Sequence, residues 1–481
     1  MISVPPPATP EPPRPSARPF KKGELVELDV ADLAFGGKAL ARVDGFVIFI
    51  EGALPGDRVL ARVTRRKPHY AEAKVEQIVT PSPLRVAPVC SHVGVCGGCR
   101  FQDLSYEEQL RHKESQVADC LKHLGGLEAT IRPIVPAPRL FGYRNKMEYS
   151  FGRDPEGLLT LGLHRRGIFD RPFDLERCHI ASEISSALVA FVRERARAAG
   201  LTSYNTRRRE GLLRFLVVRE GVRTGQVMAN LVASEEHPLF ETWAAEMRER
   251  FPSVRSVLLN TTRRLSSVAA GDMERVLAGS DRIEETLAGL TFEISSASFF
   301  QTNPEQAERL LETAFEGLGL TGNERILDLY SGTGTFTLPI ARRAREVIGI
   351  ESNGAAVRDA ERNAARNGIE NAHFWTGDAM DLLRDRFGLG PATAPRPAPD
   401  LLTIDAVLVD PPRVGLHAGV VSRLVELGAP RLVYVSCNPS TLGRDLALLC
   451  DERYRLEWVR PVDMFPHTAH IECVAALSRR S

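Results

Sequence analysis

The chain has 481 residues, with 62 Lys and Arg against 61 Asp and Glu and a net charge of +1. That length exceeds one ordinary core and predicts two or three domains. The near-neutral balance excludes a bulk field as the means of holding a polyanion, so any nucleic-acid contact has to come from local basic patches.

No apolar run is long enough to span a bilayer. The first residues, 1–19, are a Pro-rich stretch without the apolar core of a signal peptide, read as a disordered tail. Eight cysteines scattered over this length are not a small secreted disulfide scaffold. A reducing cytoplasm is expected, where clustered cysteines serve metal binding or catalysis.

Residues 20–80 read as short strands, among them Leu25–Leu28, Phe46–Ile50 and Arg58–Val63. Gly36-Gly37, Asp44-Gly45 and Pro55-Gly56 break them, which predicts a small barrel resembling an OB-fold. Arg62, Arg65, Arg66, Lys67 and Tyr70 give it a basic and aromatic edge.

Residues 81–290 read as a central α+β domain. Cys90, Cys96 and Cys99 form C-x5-C-x2-C, and an amphipathic helix comes next, from Ser105 to Leu124. Cys178 lies far downstream. Three close cysteines and a distant fourth suit four-thiolate ligation, of an iron–sulfur cluster or of zinc. Cys120, Cys450 and Cys473 are read as structural. The runs Tyr143-Arg144-Asn145-Lys146 and Arg207-Arg208-Arg209 are either phosphate grips or solvated faces.

Residues 291–481 alternate strands and helices from Glu324 onward, the pattern of a doubly wound parallel sheet. Ligands of such sheets bind beyond the strand C-terminal ends, at the switch point. Asp328-Leu329-Tyr330-Ser331-Gly332-Thr333-Gly334 lies there, without the third Gly of a dinucleotide loop or the Lys of a P-loop. Glu351, about 20 residues on, suits ribose hydroxyls. Asp378 is an adenine neighbour or a turn residue. Asp410 is aimed by Pro411 and Pro412. A Pro- and Ala-rich insertion, Gly388 to Asp400, reads as a surface loop.

Cys437 comes after the apolar strand Leu432–Val435, outside the core that makes most cysteines inert. A thiolate adding to uracil C6 would make C5 nucleophilic toward a methyl sulfonium. A base must then remove the C5 proton, and Glu472, at the start of the last strand, is the candidate. His467 and His470 receive no chemical role.

Together these motifs resemble the RNA uracil-C5 methyltransferases that use S-adenosylmethionine, a class I methyltransferase fold, over nearly all of Phe20 to Arg480. The barrel resembles a TRAM domain, an RNA-binding module. Phe299-Phe300-Gln301-Thr302-Asn303, Ser436-Cys437-Asn438-Pro439 and His467 to Glu472 carry the likeness. The resemblance implies that Gln301, Tyr330, Glu351 and Asp410 bind the methyl donor, that Cys437 is the nucleophile and that Glu472 is the base. It also implies a [4Fe-4S] cluster on Cys90, Cys96, Cys99 and Cys178. A barrel plus a cluster resembles the bacterial 23S ribosomal RNA branch more than the transfer-RNA branch. The expected partner is RNA with a flipped-out uridine in a loop, with no membrane and no obligate protein partner. The rivals are a cytosine-C5 enzyme, disfavoured because Pro411-Pro412 stands where its second cysteine would be, an exocyclic-amine methyltransferase, and a non-catalytic iron–sulfur RNA-binding protein.

Overall fold

The computed structural model describes residues 20–168, 170–265, 269, 271–389 and 403–480. The Pro-rich tail and nearly all of the Gly388 to Asp400 insertion lie outside the described residues. The chain divides into two compact units, one of residues up to 87 with 103–108, the other of 88–102 with 109 onward.

The first unit contains strands β1 (Leu25–Asp29), β2 (Asp32–Ala34), β3 (Lys38–Val43), β4 (Phe46–Glu51), β5 (Arg58–Arg66) and β6 (Tyr70–Thr80). They form one sheet in the order β1-β5-β6-β4-β3-β2, with β4 and β6 parallel. Strict alternation along β4 turns Phe46, Ile48 and Ile50 inward against Val59, Ala61 and Ala71. Asp57 is the polar lock. Its buried carboxylate accepts from the Leu54 and Ser82 amides and from Arg85 Nη2 at 2.6 Å. Burial pushes its pKa up, but Arg85 and the amides more than offset this and hold it below the ordinary value.

The expected basic edge is only half free. Arg62 is paired with Glu76 at 2.8 Å, and the Tyr70 ring packs edge-on against Phe49. Arg65 and Arg66 are exposed.

The second unit takes in helix α1 (Tyr106–Gly125) from Gln109 onward, then β7 (Lys146–Arg153), β8 (Leu159–Gly162), α2 (Glu183–Ala198), β9 (Leu213–Gly221), β10 (Gln226–Ala233), α3 (Leu239–Arg250), β11 (Val254–Thr261) and β12 (Met273–Gly279). The six strands form one mixed sheet, β12-β11-β10-β9-β7-β8. Leu188, Val189, Phe240 and Trp243 of α2 and α3 share a core with Leu216, Ala229 and Leu231 of the sheet. The run Tyr143 to Lys146 is not a free basic grip: Tyr143 is buried and donates to the Pro466 carbonyl, Asn145 donates to the Gln301 carbonyl, and Lys146 pairs with Glu148.

A hairpin of β13 (Arg282–Leu287) and β14 (Leu290–Ser295) straddles the domain boundary expected at residue 290. Ala288 and Gly289, both at positive φ, make its two-residue turn. Its inward residues Ile283, Leu287, Phe292 and Ile294 sit in the core of the final sheet, which is why chain order there is a poor guide to the boundary.

The last part is α4 (Pro304–Leu318), β15 (Arg325–Leu329), α5 (Thr337–Ala341), β16 (Glu346–Glu351), α6 (Gly354–Arg366), β17 (Ala372–Thr376), α7 (Ala379–Phe387), β18 (Ala406–Val409), α8 (Ala418–Leu427), β19 (Arg431–Ser436), α9 (Pro439–Glu452), β20 (Tyr454–Val462) and β21 (Glu472–Arg479). The sheet order is β17-β16-β15-β18-β19-β21-β20. The strands β15 to β19 pair in parallel, and the inner strands β18 and β19 read as apolar runs because both faces are covered. β21 runs antiparallel between β19 and β20. Among the described residues no helix is long and apolar enough to cross a membrane.

Candidate active site and cysteine site

Strand order reverses at β15, which has β16 on one side and β18 on the other, so the crevice opens over the loops after β15 and β18. In the first loop Tyr330 takes a left-handed φ of 67°. The amides of Tyr330 and Ser331 both donate to the Ile350 carbonyl, at 2.9 and 3.0 Å, which folds the loop over β16. Gly332 is also left-handed, and a Cβ there would meet open space. Glu351, at the end of β16, accepts from the Gly332 and Asn353 amides at 3.1 and 2.7 Å. Thr333 donates to the Phe299 carbonyl, lacing the Gln301 segment to the same loop. Asp378 caps α7 by accepting from the Met380 amide at 2.8 Å, so the turn role is real, and its charge also reaches the Tyr330 hydroxyl.

Two buried oxygens here, Asp328 Oδ1 in β15 and Ser331 Oγ in the loop, have no hydrogen-bond partner among the described residues. Buried polar atoms are seldom left so, unless a ligand completes them. Together with the open Gly332 they fit a polar nucleoside-type cofactor. Sequence reasoning does not single out Asp328, although a lone acid inside the apolar run Arg325–Leu329 is an available signal. Burial pushes its pKa up to about 8, helped by Asp410 and Glu351 nearby.

Sheet register builds the second half of the site. Ser436 of β19 lies opposite Cys473 of β21. Cys437, just past the end of β19, and Glu472, the first residue of β21, are the next residues along, and the charge of Glu472 acts on the Cys437 thiol. Asp410, just past the end of β18, comes to the same place. Cys437 is half-buried. Burial, then Glu472 and Asp410, push its thiol up to about 11, with Arg413 pulling the other way. Burial also lifts Asp410 to about 7. Glu472 is held well above the ordinary carboxylate value by burial and by Asp410, again opposed by Arg413. Arg413, in the sequence no more than a neighbour of Pro412, is thus the cation of the site. Asn438 holds the Arg413 carbonyl at 3.0 Å while capping α9 through the Ser440 amide. A helix N-terminus favours a thiolate by only about 0.3–1 kcal/mol, too little to offset the two carboxylates and the desolvation.

His467 and His470 are both buried enough that their pKa values fall to about 4, leaving neutral rings at pH 7. His467 is left-handed, φ 66°, and stacks on Phe141 at 4.6 Å.

The four expected cysteine ligands are brought together. Burial pushes the Cys99 thiol up to about 12, and Cys178, Cys96 and Cys90 add to that rise. Amide donors point at the sulfurs: Gly98 N–H at Cys96 Sγ, 3.4 Å, and the Ala181 and Ile180 amides at Cys178. Among the described residues, no three or more His, Cys, Asp or Glu side chains are gathered closely enough to hold a metal ion. Thiolates at these four positions, with N–H donors at Cys96 and Cys178, have the donor chemistry of an iron–sulfur site.

A thiol held near pKa 11 is almost wholly protonated at pH 7. Alkylation of Cys437 by iodoacetamide in the RNA-free protein, tracked by peptide mass spectrometry, is expected to speed up about tenfold per pH unit between about pH 7 and 9. A rate that does not change over this range contradicts the thiol's environment described above.

Residues 105–480 match the model of the tRNA (uracil-5-)-methyltransferase family, and residues 19–75 match that of the TRAM domain. Similar proteins include an uncharacterized RNA methyltransferase of Porphyromonas gingivalis, 39% identical over 94% of this chain and 100% of its own length. Another, from Chlorobaculum tepidum, is 38% identical over 96% of this chain and 97% of its own. Among solved structures, the tRNA (uracil-54, C5)-methyltransferase of Pyrococcus abyssi, in complex with S-adenosyl-L-homocysteine, is 31% identical. It aligns with a TM-score of 0.74 over 94% of this chain and 100% of that one. The chain belongs to the tRNA (uracil-5-)-methyltransferase family of S-adenosylmethionine-dependent RNA methyltransferases and carries a TRAM domain before its catalytic part.

Proposed function

We propose that the chain methylates C5 of a flipped-out uridine in RNA by covalent catalysis. The observation that carries this reading is the end of the β19–β21 ladder at Ser436 and Cys473, next to which Cys437 and Glu472 follow, with Glu472 and Asp410 both acting on the Cys437 thiol. Cys437 would give up its thiol proton to solvent, and Sγ would bond to C6 as the C5–C6 π electrons move toward O4. C5 would then bond to the methyl carbon of S-adenosylmethionine as the bond from that carbon to the sulfonium sulfur breaks, which leaves S-adenosylhomocysteine. Glu472 takes the C5 proton, the C5–C6 double bond returns and the Sγ–C6 bond breaks. A carboxylate of raised pKa is the stronger base for that proton, and Arg413 compensates the negative charge on the thiolate and the carboxylates. Gln301, Tyr330, Glu351, Asp410 and, at the adenine end, Asp378 hold the methyl donor, with Asp328 and Ser331 added by their unpaired oxygens.

Cys90, Cys96, Cys99 and Cys178 hold a [4Fe-4S] cluster in this reading. Their mutual electrostatic influence and the N–H donors around them support it. The barrel with Arg65 and Arg66 and the central domain grip RNA, in the cytoplasm. Barrel and cysteines together favour 23S ribosomal RNA as substrate. The Pyrococcus abyssi tRNA enzyme covers 94% of this chain, and transfer RNA stands as the second reading.

RNA carrying 5-fluorouridine at the target is expected to form a stable adduct on Cys437, because no C5 proton can leave; active enzyme that forms none overturns covalent attack. Glu472→Gln is expected to slow turnover by about a hundredfold or more while methylated RNA stays bonded to the protein, and normal turnover removes Glu472 as base. Anaerobically purified protein is expected to contain iron and sulfide, about four of each per chain; stoichiometric zinc in their place overturns the cluster. Nucleoside mapping of RNA from cells lacking the protein decides the substrate: 5-methyluridine missing from 23S rRNA supports the first reading, and from tRNA the second.

A further inference from the structure

The loop from Asp463 to Ile471 delivers Glu472 to the site without a ladder of its own. It is held from outside. Lys113 Nζ, fully buried, donates to Asp463 Oδ1 at 2.6 Å and to the Phe465 carbonyl at 3.0 Å. Asn303 and Tyr143 donate to the Met464 and Pro466 carbonyls. At His467 the loop turns through its left-handed residue, and two elements meet it. The amides of Arg100 and Phe101, next to Cys99, both donate to the His467 carbonyl, at 2.8 and 3.0 Å. From α1, buried Gln109 accepts the His467 amide through Oε1 at 2.9 Å. Its Nε2 donates to the Phe101 carbonyl at 2.8 Å and faces His467 Nδ1 at 3.2 Å. With the imidazole neutral, Nδ1 can accept that second N–H.

We infer that Gln109 is a positioning residue for Glu472: its one amide joins the cysteine loop to His467 and fixes the turn that aims the carboxylate at the C5 proton. The inference rests on the reading of Glu472 as the base. Gln109 touches neither RNA nor methyl donor in this scheme, so its loss affects the last chemical step alone. There the C5–H pair re-forms the C5–C6 double bond as the proton passes to Glu472 and the thiolate leaves.

The test is Gln109→Met, close in volume but without either hydrogen bond, in the full chain. Turnover is expected to fall about ten- to a hundredfold from misplacement of the base, with KM for RNA and methyl donor within about twofold of wild type. Adduct formation with 5-fluorouridine RNA proceeds at the wild-type rate, while methylated adduct with ordinary RNA accumulates on denaturing gels. Hydrogen exchange of the 463–472 amides quickens, and bound iron does not change. Should this variant aggregate, Gln109→Asn, which keeps an amide but withdraws it by one methylene, takes the same test. Wild-type turnover overturns the proposal, and so does loss of fluorouridine adduct in step with turnover, which would make Gln109 a general structural residue. Normal turnover of Glu472→Gln removes the base itself. Normal turnover of the Gln109 variant beside a stalled Glu472→Gln removes only the positioning role.

Discussion

One strand running against its neighbours creates the chemistry. The parallel strands β15, β16, β18 and β19 all end at one rim, and the crevice above them collects the first residues of the loop after each strand. A further parallel strand would also bring only its C-terminal end there. By returning antiparallel between β19 and β20, β21 presents its first residue, Glu472, at that rim. The pairing of Ser436 with Cys473 fixes the face that β21 turns to the rim, because a slip of one residue would turn Glu472 to the opposite face. In the proposed mechanism the base is thus held by the ladder of β21 on one side and by the Asp463–Ile471 loop on the other.

The cost of that arrangement is electrostatic. Glu472 and Asp410 lie near one thiol, and the Arg413 charge opposes them. Each group is pushed toward its neutral, protonated form, so in the proposed mechanism both the thiol and the carboxyl have to lose a proton before they act. A bound sulfonium, as a cation, would favour their charged forms.

Helix α1 supports this centre with polar contacts. Its buried face carries Gln109, His112, Lys113 and Gln116 at helical spacing, then Val117, Cys120 and Leu121. Breaking the buried Lys113–Asp463 pair by removing one partner would cost about 3–5 kcal/mol, much of a domain's net stability, yet such pairs seldom stabilise more than an apolar core would. Orientation of the 463–467 backbone is what these groups provide. At its other end α1 comes so close to α9 that a Cβ on Gly125 would lie 2.8 Å from the Gly443 carbonyl oxygen, and a Cβ on Gly443 would lie 3.0 Å from that of Cys120. One helix thus braces both the segment after Cys437 and the loop before Glu472.

Local patterns in the sequence determined much. Alternation marked the barrel strands, apolar runs marked β15, β18 and β19, and Gly332 and the acids at strand ends marked the rim, because each depends on a period or a residue type that neighbours along the chain reveal. The cysteine spacing likewise marked the four cysteines whose charges act on one another in the fold. Only the tertiary structure decided that the hairpin β13–β14 packs as one across residue 290, that Arg62 and Tyr143 are occupied internally, that Arg413 and Asp328 lie beside the candidate site, and that Gln109 meets the loop before Glu472. These outcomes depend on partners tens to hundreds of residues away. Gln109 and His467 are 358 positions apart, and a buried amide on an amphipathic helix looks like an exposed one until the chain that meets it is in place.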